Sequence, residues 1–181
     1  HAVVYTLPED DLKVEYAAES PTITYGKRPQ TEALTPNAMQ EEFVENMREL
    51  QARKAKRALL ISATGTGKTY ASAFAVKDFA PRRLLFIVHR EQIAKQALRS
   101  YRRVLGAYAS MGLLSGTAKD TEADYLFSTM QTISKENIYT QFAPDEFDYI
   151  VIDEVHRAGA ESYQRIFKYF QPQMYLGMTA T

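Results

Sequence analysis

Cysteine is absent from the 181 residues, which excludes disulfides, thiol catalysis and cysteine-held metal or iron–sulfur sites. Histidine is scarce: three scattered residues offer no metal-ligating spacing. Net charge is missing as well, with 22 basic residues against 22 acidic ones. That balance rules out a global positive field that would recruit nucleic acid by electrostatics alone, while leaving room for a local patch. No apolar stretch approaches the roughly 20 residues that a membrane-spanning helix needs, and no signal-peptide pattern is visible. The expected setting is therefore a soluble, cytoplasmic protein with no membrane partner. His1 is not a natural start and points to a trimmed or processed chain. What remains is 45% hydrophobic and 24% charged, the balance of an ordinary globular domain. The length allows one full core with a small appendage.

Residues 1–35 differ from the rest. "AVVYTLP", "LKVEYAA" and "TITYG" are short β-prone pieces separated by Pro8, Pro21 and Gly26, and read as an extended flap or the trailing edge of an upstream domain. From Pro36 onward the rhythm is regular. Met39, Phe43, Met47 and Leu50 recur at helical spacing. After them, apolar runs alternate with amphipathic stretches. "RALLISA", "RRLLFIVH", "ADYLFST", "FDYIVIDE" and "QMYLGMT" read as strands. "GKTYASAFAVKDFA", "REQIAKQALRSYRRVL", "MQTISKENIY" and "AESYQRIFKYF" read as helices between them. This alternation predicts a three-layer α/β fold, with a mostly parallel sheet and helices on both faces.

Two motifs carry chemistry. "SATGTGKT", Ser62 to Thr69, lies between a predicted strand and a predicted helix, the context a phosphate-binding P-loop requires. Gly65 and Gly67 allow a tight turn, so that backbone N–H groups from Thr64 to Gly67, Thr66 included, face an anion beside a helix N-terminus. Lys68 would reach the β- and γ-phosphates, and the Thr69 hydroxyl would ligate Mg²⁺. Ser62 stands where the pattern usually has glycine. The bland reading is a Gly/Thr-rich turn with an incidental lysine. The second motif is "YIVIDEVH", Tyr149 to His156. A buried strand would carry Asp153 to its C-terminal end, where α/β ligands bind. There Asp153 could hold Mg²⁺ and Glu154 could polarise an attacking water. Alone, such a pair also fits a solvated helix start.

"ATGTGKT", "DEVH" and the terminal "TAT", in this order, resemble motifs I, II and III of superfamily 2 DEAD/DEAH-like helicases. "VHREQIAKQ", "FSTMQTI" and "LGMTAT" are similar to motifs of the branch that holds type I and type III restriction-enzyme motor subunits. The resemblance runs from about Leu34 to Thr181. It implies the first RecA-like domain of an ATP-hydrolysing nucleic-acid motor, residues 36–181, with ATP and Mg²⁺ as cofactors and Lys68, Asp153 and Glu154 as catalytic residues. By the same resemblance His156, Thr179 and Thr181 couple nucleotide state to a second domain. Gln40 is similar to an upstream glutamine that reads adenine, although Met39 stands where an aromatic is usual; its plain alternative is an exposed helix residue.

Arg90, Thr129 and Gln131 are the candidates for nucleic-acid contact, since hydroxyls, amides and cations beside helix starts suit phosphate and sugar. For Arg90 the alternative is a capping or ion-pairing arginine. The basic stretch "RSYRRV", Arg99 to Val104, reads best as a solvated helix face, and Tyr163, Phe167 and Phe170 as a core stripe. The implied partners are double-stranded DNA, a second RecA-like domain, and in this branch a nuclease domain or a methyltransferase subunit. An RNA helicase and a non-catalytic scaffold are the competing readings. Because the resemblance ends at motif III, the chain alone is expected to bind nucleotide, hydrolyse it feebly and not translocate.

Overall fold

A computed structural model describes residues 2–5, 34–63, 67–157 and 160–180. Seven strands form one sheet: β1 (Ala2–Tyr5), β2 (Arg57–Ser62), β3 (Leu84–Val88), β4 (Met111–Leu114), β5 (Tyr125–Thr129), β6 (Tyr149–Ile152) and β7 (Met174–Ala180). Their order is β1-β2-β7-β6-β3-β5-β4, and every pairing is parallel. Parallel neighbours need crossovers. The helices that supply them are α1 (Ala38–Ala52), α2 (Lys68–Phe79), α3 (Glu91–Leu105), α4 (Met130–Ile133), α5 (Glu136–Tyr139) and α6 (Glu161–Tyr169).

The pleat sorts each central strand onto two faces. Along β3, Leu84, Phe86 and Val88 join a cluster with Phe43 and Met47 of α1, Ala73 and Val76 of α2, and Ala97 and Tyr101 of α3. The intervening Leu85 and Ile87 join the opposite cluster, with Met130 and Ile133 of α4 and Tyr163 and Ile166 of α6. Each central strand is thus buried on both sides, which is why β3 and β6 read as unbroken hydrophobic runs. The result is the three-layer architecture expected from the sequence.

Two local expectations need correction. "MQTISKENIY" is not one helix but two four-residue helices, broken where Lys135 takes an extended conformation. Met130 and Ile133 are three residues apart, yet the next apolar side chain is Ile138, five further on. An unbroken helix would turn Tyr139, nine residues past Met130, to the opposite face; the break lets Ile138 and Tyr139 pack on the same cluster. In addition, "MGLL" forms the edge strand β4, which the alternation of strands and helices did not anticipate. Of the N-terminal β-prone pieces, Ala2–Tyr5 is an edge strand beside β2; "LKVEYAA" and "TITYG" lie outside the described residues.

Candidate functional site

In a parallel sheet all C-terminal strand ends lie on one edge, and here that edge gathers the chemistry-bearing residues. Because β6 lies between β7 and β3, the segment after β6 is flanked by the ends of the strands leading to Thr179 and to His89.

The loop after β2 enters α2 through Gly67, whose φ of 75° lies in the left-handed region, where glycine carries no Cβ penalty. No side chain caps α2, so its first N–H groups depend on backbone or ligand partners. Lys68 begins the helix, and its Nζ donates to the Ala63 carbonyl at 3.3 Å. Burial holds this ammonium below the usual lysine range, against the opposing pull of Asp153 and Glu154. Thr69 is half-buried one residue further on. Thr64, Gly65, Thr66 and Thr181 lie outside the described residues.

Asp153 follows β6 directly, and its N–H donates to the Ile87 carbonyl at 2.9 Å, tying it to β3. Its Oδ1 accepts the Glu154 N–H at 2.9 Å. Burial raises its carboxyl above the usual range; the Glu154 N–H and Lys68 oppose that shift. Glu154 turns sharply, with φ at 53°, an uncommon conformation for a residue with a Cβ and one that clusters at functional sites. Its Oε2 lies 3.7 Å from Nε2 of His89.

Burial therefore penalises the charge on both Lys68 and Asp153 more than their mutual attraction relieves it. A desolvated ammonium calls for an anion and a desolvated carboxylate for a cation, which is the demand a polyphosphate carrying a divalent ion would meet. Among the described residues no group of three or more His, Cys, Asp or Glu could hold a metal. Mg²⁺ needs no such group, since it is held through one or two protein oxygens together with phosphates and water. Thr69, near the start of α2, and Asp153, after β6, are the residues that could supply those oxygens.

The third motif meets the second. Nδ1 of His156 and Oγ1 of Thr179 are 2.9 Å apart across 23 residues of sequence. Beneath them Gly177 of β7 faces Val155, and a Cβ at Gly177 would lie 2.9 Å from a Val155 methyl. The glycine thus permits the close approach of the turn Val155–Arg157 to the strand.

The remaining candidates are placed differently. Gln40 is not an exposed helix residue: it is 8% exposed and closes a capping box. Its N–H donates to Asn37 Oδ1 at 2.9 Å, and its Oε1 accepts the Asn37 N–H at 3.0 Å. Arg90 is exposed at the start of α3 and makes no side-chain cap. Gln131 is exposed on α4. Thr129 is buried instead, where its hydroxyl accepts the Thr132 N–H at 3.3 Å and donates to the Thr132 hydroxyl at 2.9 Å. Arg99, Arg102 and Arg103 are exposed, as a solvated face requires. His89 and Gly177 were missed in the sequence. His89 lies inside the quoted "VHREQIAKQ", and Gly177 inside "LGMTAT", but neither spacing nor composition marks them.

Solved structures share this fold. The UvsW helicase of bacteriophage T4 matches with a TM-score of 0.64 at 19% identity, over 96% of this chain and 60% of that one. The type ISP restriction-modification enzyme LlaBIII, solved bound to DNA, matches with a TM-score of 0.64 at 22% identity, over 82% of this chain and 13% of that one. In sequence, the endonuclease subunit of the type I restriction enzyme EcoAI from Escherichia coli is 31% identical over 176 residues. That match covers 91% of this chain and 21% of the relative, so the chain spans about a fifth of that subunit's length. The family model described as type III restriction enzyme, res subunit, matches residues 33–181, and with most of its length matched the chain belongs to that family.

Proposed function

We propose that this chain is the ATP-binding half of a nucleic-acid-dependent motor of the restriction-enzyme type, acting on double-stranded DNA. The observation that carries the reading is the convergence at one sheet edge of Lys68, the Asp153–Glu154 pair and the His156–Thr179 contact. Residues 36–181 would be the first RecA-like half. Residues 1–35 would be an extension whose strand β1 lengthens the sheet beside β2.

In this reading Lys68 and the α2 N-terminus, with the loop 64–67, bind the phosphates of ATP. Mg²⁺, held between Thr69, Asp153 and the phosphates, would supply charge neutralisation. Glu154 orients a water against the γ-phosphorus and accepts its proton as the bond to the β-phosphate oxygen breaks, giving ADP and phosphate. Lys68 stabilises charge on the transferred group. The His156–Thr179 contact reports the occupancy of this edge to a second α/β domain, which would also contribute arginines to the transition state. Arg90 and Gln131, exposed at the starts of α3 and α4 just past the neighbouring β3 and β5, would hold the nucleic-acid backbone. Gln40 would read adenine. A nuclease domain or a methyltransferase subunit are the further partners proposed, and the cytoplasm the compartment; no helix among the described residues is long and apolar enough to cross a membrane.

The test is ATP hydrolysis by the longer protein that carries both motor halves, with duplex DNA or RNA added. Stimulation by duplex DNA, lost on Lys68→Ala, is the expected result. Stimulation by RNA alone would overturn the DNA reading, and unchanged hydrolysis in the Lys68 variant would favour a scaffold.

A further inference from the structure

Glu91 opens α3 directly after Arg90, which puts an acid beside a cation proposed to hold a nucleic-acid backbone. Negative charge at such a face repels phosphate. The carboxylate is engaged inside the protein: Oε1 accepts the Thr117 hydroxyl at 2.9 Å and lies 2.9 Å from Nζ of Lys95. Hydrogen bonds from Lys95 and then Thr117, with a smaller one from Ser115, hold the carboxyl below the usual range. Lys95 belongs to the same helix and makes an ordinary i,i+4 pair. Thr117 lies in the loop 115–119 that follows β4. In the sheet β4 neighbours β5, and β5 neighbours β3, so this loop shares the strand-end edge with Arg90 and Gln131. Bonds within the loop and to β4 give it its shape. The Ser115 N–H donates to the Ala118 carbonyl at 2.8 Å and the Asp120 N–H to the Leu113 carbonyl at 2.9 Å. The Thr117 N–H donates to Ser115 Oγ at 3.2 Å. The one proton of the Thr117 hydroxyl goes to Glu91, so the Ser115 hydroxyl is the donor in their 3.3 Å contact. The Thr117–Glu91 bond carries the loop across to α3.

We propose that Glu91 is a positioning residue for the nucleic-acid face: its carboxylate fastens the loop 115–119 against the start of α3. Arg90 and the exposed Gly116 and Lys119 then stand as one surface for a phosphate–sugar backbone. The acid is tolerated at this face because Lys95 neutralises it and Thr117 bonds it. A Glu91 that served only its own helix would need no more than Lys95 and the positive end of the helix dipole. The bond to a hydroxyl 26 residues away is what that lesser role leaves unexplained. The inference rests on the motor reading.

The experiment measures the affinity for a fluorescent duplex DNA at one fixed salt concentration, and the affinity for a fluorescent ATP analogue, in the longer protein. The variants are Glu91→Ala, Glu91→Gln, Thr117→Val and Glu91→Ala/Thr117→Val. Charge and position predict opposite signs: loss of an acid beside DNA should tighten binding by electrostatics alone, whereas loss of the brace should weaken it. Glu91→Ala should weaken DNA binding about fivefold, the scale of one lost hydrogen bond, with nucleotide affinity unchanged. Glu91→Gln removes the same charge but keeps an oxygen that accepts from Thr117, and should bind DNA at least as tightly as the parent. Thr117→Val keeps the shape without the hydroxyl and should weaken binding about threefold, a part of the same loss. The double variant should bind no more weakly than Glu91→Ala, because groups acting as one unit are not additive. DNA affinity in Glu91→Ala equal to or tighter than that of a DNA-binding parent would overturn the inference and leave the motor reading intact. Equal losses in Glu91→Gln and Glu91→Ala would also overturn it. No binding of duplex DNA by the parent would overturn the reading as a DNA motor, and the inference with it.

Discussion

Replacing Gly177 with alanine would bring a Cβ to 2.9 Å from one Val155 methyl and 3.2 Å from its Cβ and second methyl. Carbon contacts settle at about 3.5–4.0 Å, so the new atom intrudes on three partners. Gly177 is fully enclosed by β2 on one side and β6 on the other and cannot retreat. The relief must come from Val155, at the head of the turn Val155–Arg157. Overpacking costs about 1–3 kcal/mol. The entropy gained by replacing glycine with alanine, where the backbone is compatible, returns about 0.4–1 kcal/mol. A net loss of about 1 kcal/mol should lower the melting temperature by about 2–4 °C. The functional effect should be larger than the thermal one, because the displaced turn carries His156 away from Thr179. ATP hydrolysis in the longer protein, with calorimetric melting of each variant, reads both. Gly177→Ala/Val155→Ala removes the opposing methyls and should regain most of the lost rate. Gly177→Ala with unaltered melting and unaltered hydrolysis would refute the reasoning, as would a double variant slower than either single one.

Asp153 and Gln40 give further tests. Burial raises the Asp153 carboxyl in the folded state, so the folded chain binds this proton more tightly than the unfolded one. Its contribution is most favourable at low pH and declines as pH rises from the ordinary carboxylate range through the raised folded value. Asp153→Asn should therefore melt at a higher temperature than the parent at neutral pH, with the gain shrinking in acid, while hydrolysis is lost; a lower melting temperature at neutral pH would contradict this. Gln40→Ala removes half of the capping box and should cost about 0.5–2 kcal/mol by urea denaturation. Gln40→Glu keeps an acceptor for the Asn37 N–H, and should retain stability while losing any preference for ATP over GTP in competition binding. Equal preference in Gln40→Glu and the parent would remove the adenine role.

How far the sequence reached depends on where each residue sits. The central strands were legible because β3, β5 and β6 are buried on both faces, so β3 and β6 are apolar throughout and β5 turns polar only at Ser128 and Thr129. The edge strand β4 alternates between buried and half-buried positions over only four residues, too short a period to stand out beside the loop that follows it. The break at Lys135 depends on which cluster Ile138 joins, a tertiary choice that helical propensity does not encode. At the site, Lys68, Asp153 and Glu154 were named by motif and strand context. Thr129 turns inward to bond Thr132, a local choice that the motif does not show, whereas the closeness of His89 and Glu154 follows from the strand order. The order puts β6 beside β3, with 60 residues between Val88 and Tyr149 in the chain. Fold prediction from local pattern fixes what lies at each strand end and leaves open which ends are neighbours.

The central claim is that Lys68 and Asp153 frame a site for a polyphosphate with a divalent cation. Titration of the 181-residue chain with a fluorescent ATP analogue, with and without Mg²⁺, tests it most directly. Saturable binding that needs Mg²⁺, weakened about tenfold or more by Lys68→Ala through the loss of a charge-assisted contact, is the predicted result. Binding of equal strength in the parent and in Lys68→Ala, or no binding to either, would contradict the account.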